Sequence, residues 1–197
     1  MINLKKGSTI SLEKYGDKPE NIYVGLNWGK INSWWGLWQE DVDLDGSVSM
    51  FGADKRHIDT VYFKKKHSDD NSVKHSGDDQ GGDDISDDKD NEVISINLKR
   101  VSRSVETVFI YLNSYRGQEF DTIPYAKIRL LDGKENGSKN AFASFNLAAE
   151  PKYKGKVSMI MAKIVRNGGD WKFVTIGEAV KTRNVKDTVD LIKHHYL

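Results

Sequence analysis

The sequence predicts an all-β protein, an antiparallel two-sheet β-sandwich with a short C-terminal α-helix. Three observations predict it. Short runs alternate polar and apolar residues with period two, Gly-, Asn- and Asp-bearing turns separate them, and a helical apolar spacing occurs once, near the C-terminus.

The runs follow one another along the chain. Residues 8–12 and 22–26 open the series, then 42–45 leads into 47–51, and 60–63 follows. Next come 93–98 and 105–112, and the second half adds 126–130, 143–147, 158–165 and 171–176. Gly168-Gly169 sits between the last two and reads as a hairpin turn. From Asn184, a candidate N-cap, Val185, Val189, Ile192 and Tyr196 recur down one helical face. With no long linker and no repeat, residues 1–197 are read as a single domain with an acidic loop at 68–92 and a helix at about 184–196.

Composition narrows the function. The chain has 30 basic and 29 acidic residues and a net charge of +1, so nucleic acid is not an expected partner. The charge is unevenly spread: residues 69–92 hold nine Asp and one Glu against Lys74 and Lys89. Cysteine is absent, which excludes thiol nucleophiles, thiolate zinc sites and disulfides. The first residues carry no apolar signal core, and the simplest reading is a cytoplasmic protein.

Two acidic segments point to a hard cation. Asp41-Val42-Asp43-Leu44-Asp45-Gly46 matches the opening of an EF-hand loop, but Gly52 stands where that loop needs its bidentate Glu. The flanks alternate like strands, so an EF-hand is rejected. In a strand Asp41, Asp43 and Asp45 share one face. The second segment runs from His75 through Asp78, Asp79, Asp83 and Asp84 to Glu92, with glycines that let a loop wrap closely. Calcium, which takes six to eight oxygens in flexible geometry, suits such a loop better than magnesium. The alternative is a solvated acidic loop that binds nothing.

The sequence resembles the tellurium-resistance TerD family, in its TerZ-like branch. The resemblance runs through Val24-Gly25-Leu26-Asn27-Trp28, Asp43-Leu44-Asp45-Gly46-Ser47 and Asp59-Thr60-Val61-Tyr62-Phe63. Its most specific stretch is residues 68–79, where His75-Ser76-Gly77-Asp78-Asp79 resembles the family's His-Thr-Gly-Asp-Asn signature, and Asp90-Asn91-Glu92 resembles the close of the same loop. Asn113 to Phe120 and Arg166 to Phe173 continue it, so that nearly the whole chain is covered.

The resemblance implies a calcium-binding β-sandwich linked to tellurite resistance and stress tolerance, with no enzymatic activity. Carried over by position, it makes Asp43, Asp45, Asp78, Asp79, Asp90, Asn91 and Glu92 ligand candidates, with two calcium ions expected. Between Gly82 and Asp90 the chain departs from the family's Gly-rich run, and there Asp83, Asp84, Asp87 and Asp88 either ligate or only decorate the loop. Asp83 and Asp88 enter the candidate set. The expected partners are other TerD-type or stress-complex proteins.

Trp34, Trp35 and Trp38 lie immediately before the first acidic segment. They read either as cover for a sandwich edge or as a docking patch for a partner or a membrane surface. His75 reads as a surface histidine or as one that orients the loop, and Lys64-Lys65-Lys66 as a solvated turn guarding an edge. A divalent-metal-dependent phosphohydrolase is the enzymatic alternative. It is disfavoured because the chain offers no P-loop, dinucleotide fingerprint or Ser-His-Asp pattern.

Overall fold

A computed structural model of the chain describes residues 1–13, 20–33, 38–83, 89–132 and 140–197. Two six-stranded sheets face each other. The first runs in the order β1 (Ile2–Leu4), β12 (Asn140–Ala148), β11 (Tyr125–Asp132), β3 (Asn21–Trp28), β9 (Glu92–Asn97), β8 (Val73–His75). The second runs β2 (Thr9–Ser11), β14 (Asp170–Val180), β13 (Ser158–Asn167), β10 (Thr107–Ser114), β6 (Leu44–Phe51), β7 (His57–Val61). A small hairpin of β4 (Ile31–Ser33) and β5 (Trp38–Glu40) stands apart from both.

Period-two alternation sends one set of side chains from each sheet into a shared core, seen most plainly in β9 and β14. Trp28, Ile94, Ile96, Val48, Ile110 and Phe173 are among the residues fully buried there. β13 and β14 form the hairpin expected at Gly168-Gly169, and Gly168 takes the left-handed φ of 63° that the turn requires.

Among the described residues the strand ladders are antiparallel with one exception. β1 runs parallel to β12, pairing Ile2 with Ala143 and Leu4 with Phe145. The chain turns at Gly7 (φ 79°) after β1 and carries β2 to the edge of the opposite sheet. The N-terminus therefore closes one edge of each sheet, which period-two patterning cannot reveal.

β3 and β6 are buried on both faces, not on one. For β6 the cover is α1 (Val185–His195), laid on the outer face of the second sheet over Phe51, Phe109, Tyr111 and Ile160. Val185, Val189, Ile192 and Tyr196 form its contact stripe, and the Asn184 side chain accepts the Asp187 N–H at 2.9 Å as the N-cap. On β3, Asp90 stands against Gly25, and Asp83 and Lys89 against Asn27. No helix among the described residues is long and apolar enough to cross a membrane.

Candidate metal centre

The described residues of the acidic loop, 76–83 and 89–91, link β8 to β9 of the first sheet and reach the approach to β6 in the second. Backbone hydrogen bonds stitch it down. Val42 N–H donates to Gly81 O at 3.0 Å, Asp83 N–H to Trp28 O at 2.9 Å, and Lys30 N–H to Asp83 O at 3.0 Å. Trp28 is the hub. Its indole Nε1–H donates to Val42 O at 2.8 Å and its backbone N–H to Asn91 Oδ1 at 2.9 Å. Gly82 packs against the same indole with φ 75°, where a Cβ would come within 2.9 Å of the ring.

This lacing brings three of the expected ligands together. Carboxylate oxygens of Asp43, Asp45 and Asp78 lie within 4.8 Å of one another. Calcium–oxygen distances of about 2.3–2.6 Å allow two ligands of one ion to stand up to about 5 Å apart, so the three suit a single ion. Asp45 is the second residue of β6, Asp43 lies just before the strand, and Asp78 comes from the loop. Asp43 and Asp45 are buried, whereas Asp78 is exposed. β6 begins only at Leu44, so Asp41 is not on a common strand face with them. It turns away to Lys30 at 3.2 Å.

Glu92 reaches the same region from the opposite sheet. It is completely buried, its Oε2 accepts the Gly46 N–H at 2.8 Å, and its Oε1 has no hydrogen-bond partner. His75, expected at the surface, is buried beside it. Its Nδ1 accepts the Gly77 N–H at 3.1 Å, which puts the ring proton on Nε2. Nε2 lies 3.1 Å from Gly46 O and 3.3 Å from Glu92 Oε2. The histidine orients the glutamate, because the β8–β9 ladder that carries both residues turns them into the end of the core.

Electrostatics records the crowding. Burial pushes the Asp45 carboxyl up to about 7, and the neighbouring Glu92, Asp43 and Asp78 add to the shift. Burial also raises Asp43 against the pull of the Arg116 guanidinium, whose Nε stands 3.2 Å from its Oδ2. Glu92 is raised by burial and partly restored by His75. Three carboxyl groups held above their ordinary range, one with an orphaned buried oxygen, fit a site for a dication.

The remaining candidates divide. Asp79, Asp83 and Asn91 form a neighbouring group, with Asn91 Nδ2 at 3.5 Å from Asp79 Oδ2 and 3.3 Å from Asp83 Oδ1. Asn27 of β3 joins it, donating from Nδ2 to Asp83 Oδ2 at 2.5 Å while its buried Oδ1 has no hydrogen-bond partner. Asp90 stays outside both groups. Both its oxygens accept from Arg129, each at 2.8 Å, in a buried bidentate pair. Asp88, Trp34 and Trp35 lie outside the described residues; Trp38 is 75% exposed. The Lys64–Lys66 turn is more than a solvated edge guard, since Lys65 Nζ lies 2.5 Å from Asp59 and 2.7 Å from Asp69.

Asn27, Trp28, Gly46 and Arg116 complete the centre, and Arg129 engages Asp90 beside it, without having been marked as functional from sequence. Four of them sit inside motif stretches already singled out. Arg129 gives no signal, because an Arg in an alternating strand reads as a solvent-facing residue.

A TerD domain model matches residues 1–189. Tellurium resistance protein TerZ of Serratia marcescens is 31% identical over 194 residues, covering 95% of this chain and 94% of its own. Stress response protein SCP2 of Bacillus subtilis is 30% identical over 203 residues, covering 95% and 97%. Among solved structures, a homologue of telluride resistance protein TerD from Streptomyces coelicolor superposes with a TM-score of 0.63 at 19% identity, covering 89% of this chain and 95% of that one, a likeness of fold. The end-to-end match and the motifs that build the acidic rim agree: the chain belongs to the TerD family, in its TerZ-like branch.

Proposed function

We propose that the chain is a non-catalytic calcium-binding module of a bacterial stress-response and tellurite-resistance system, acting through metal-dependent contacts with other proteins of TerD type. One observation carries this reading: the convergence of carboxylate oxygens of Asp43, Asp45 and Asp78 within 4.8 Å of one another, with the buried Glu92 close enough to Asp45 to raise its carboxyl. These residues would hold the ion, and the charge it supplies would relieve their mutual repulsion. A second ion fits best at Asp79 and Asp83, next to the unpartnered Oδ1 of Asn27; Asn91 turns its Nδ2 to these carboxylates and its Oδ1 to the Trp28 N–H. Since the loop is tied to β3 and to the approach to β6, ions held there would fix that rim as a presenting surface.

The names of the relatives support the physiological half of the reading, as tellurium-resistance and stress-response proteins. Direct reduction of tellurite by this chain is disfavoured, because that chemistry calls for thiols and the sequence has none. Calcium added to metal-stripped protein is expected to raise the melting temperature; an unchanged melting temperature would reject the metal reading.

The exposed Trp38 supports a second reading, a calcium-dependent membrane contact. Flotation with anionic liposomes tests it. Flotation that requires calcium and is lost in Trp38→Ala would favour this reading over protein partners.

A further inference from the structure

Beside the acidic centre, on the α1 side of the rim, two grooves meet. One, of about 550 Å³, is bordered by Arg116, Lys181 and Arg183 together with Tyr115. The other, of about 360 Å³, shares Ser114, Tyr115 and Arg183 with the first and is lined further by Phe63, Lys64 and Asp45. The second groove is therefore lined in part by Asp45, a residue of the acidic group. Lys181 and Arg183 form no ion pair among the described residues. Glu119, the acid on this border, is engaged by the Gly155 N–H at 2.6 Å.

Cations clustered around a concave surface focus a positive potential, and guanidinium groups match phosphate oxygens in geometry. The aromatic wall is specific in a different way. Tyr115 is 65% exposed and packs edge-on against Phe63, with ring centroids 6.2 Å apart. An exposed ring next to unpaired guanidinium and ammonium groups suits a ligand with a planar ring and a phosphate. We propose that this cleft binds a soluble aromatic phosphate monoester, with its phosphate held by Arg183, Lys181 and Arg116 and its ring laid against Tyr115 and Phe63.

Arg116 ties the cleft to the acidic centre. It pairs with Asp43 at 3.2 Å, yet its side chain remains 49% exposed and also borders the cleft. A cation on Asp43 weakens that pair and leaves the guanidinium available to phosphate. Calcium and the phosphate ligand therefore strengthen each other's binding, and reciprocally so. This coupling rests on the calcium reading; the groove and its cations do not.

Adenosine monophosphate, ribose 5-phosphate and adenosine are the probes, titrated by calorimetry into the full chain with and without calcium, with calcium binding measured separately on the same protein. Adenosine monophosphate is expected to bind, ribose 5-phosphate more weakly and adenosine not at all. The Lys181→Ala/Arg183→Ala variant should bind adenosine monophosphate about tenfold more weakly, with its melting temperature and calcium affinity unchanged. Arg116→Ala should abolish the calcium dependence. Undetected binding of both phosphates while calcium still binds would overturn the cleft and leave the metal reading intact. Adenosine monophosphate that binds while calcium does not would support the cleft and overturn the coupling. Binding undiminished in the double variant, or flotation with phosphatidic acid vesicles in place of nucleotide binding, would overturn the proposed ligand site.

Discussion

Glu92 and Gly46 join the two sheets at the acidic rim. Glu92 Oε2 accepts the Gly46 N–H at 2.8 Å, and a Cβ at Gly46 would lie 2.5 Å from that oxygen and 2.4 Å from Leu26 Cδ1. The glycine is thus the space into which the glutamate folds. Gly46→Ala is expected to destabilise the metal-free protein by about 1–3 kcal/mol, the usual cost of overpacking, and to weaken calcium binding. Chemical denaturation and calorimetry check this. A variant as stable as the parent, with unchanged calcium affinity, would show that Glu92 has no part in the centre.

Asp45 makes the centre sensitive to pH. Its carboxyl ionises near 3.8 when exposed and at about 7 in the fold, so over that window the native state holds the extra proton. Its contribution to stability is full below about pH 3.8 and is lost as pH rises to about 7. Other groups act in the opposite sense. At Asp70, burial raises the carboxyl, but hydrogen bonds from Ser72 and Ser68 outweigh it and hold the group below its ordinary range. Melting temperatures of the metal-free protein and of Asp45→Asn should therefore be compared across pH. The variant is expected to gain on the parent from pH 4 to pH 7, and calcium affinity in the parent to fall below about pH 7. Parallel pH profiles would contradict the assignment.

Asp90 and Arg129 form a buried bidentate pair beside the acidic centre. Gly25 is the residue that admits it, since a Cβ there would stand 2.2 Å from Asp90 Oδ2. Arg129→Met strands a buried carboxylate and is expected to cost about 3–5 kcal/mol. Adding Asp90→Asn should recover part of that loss, and calcium affinity should change little in the double variant, measured by denaturant unfolding and calorimetry. Loss of calcium binding with retained stability in Asp90→Asn would make Asp90 a ligand after all.

The cap of α1 gives an independent check on how the helix is held. Asn184→Ala removes the acceptor for the Asp187 N–H and should lower stability by about 1 kcal/mol, seen as a lower denaturant midpoint with calcium binding unchanged.

The longer strands, the terminal helix and the Gly168-Gly169 hairpin were legible because each is local: alternation, a cap and a turn are written in a few adjacent residues, whereas the three-residue strands β1, β4, β5 and β8 are too short to show alternation. The parallel pairing of β1 with β12 was not, since it joins Ile2 to Ala143 across almost the whole chain. The same division holds at the rim. Asp43, Asp45 and Asp78 were among the nine ligand candidates that residue type and motif named, but their grouping as three was not visible there. That Asp90 turns to Arg129, that Arg116 attends Asp43, and that His75 is buried against Glu92 depend on which strands become neighbours. Identical side-chain types in one acidic run therefore separate into ligand candidates, an internal ion pair and loop anchors only once the sheets are assembled.

The most direct test of the metal centre is a calorimetric titration of calcium into metal-stripped protein, repeated with Asp43→Asn and Asp78→Asn. One residue comes from the approach to β6 and the other from the loop, so a shared ion must feel both. Calcium binding in the parent that is sharply weakened in each variant is the predicted result. No binding in the parent, or binding indifferent to both substitutions, would contradict the account.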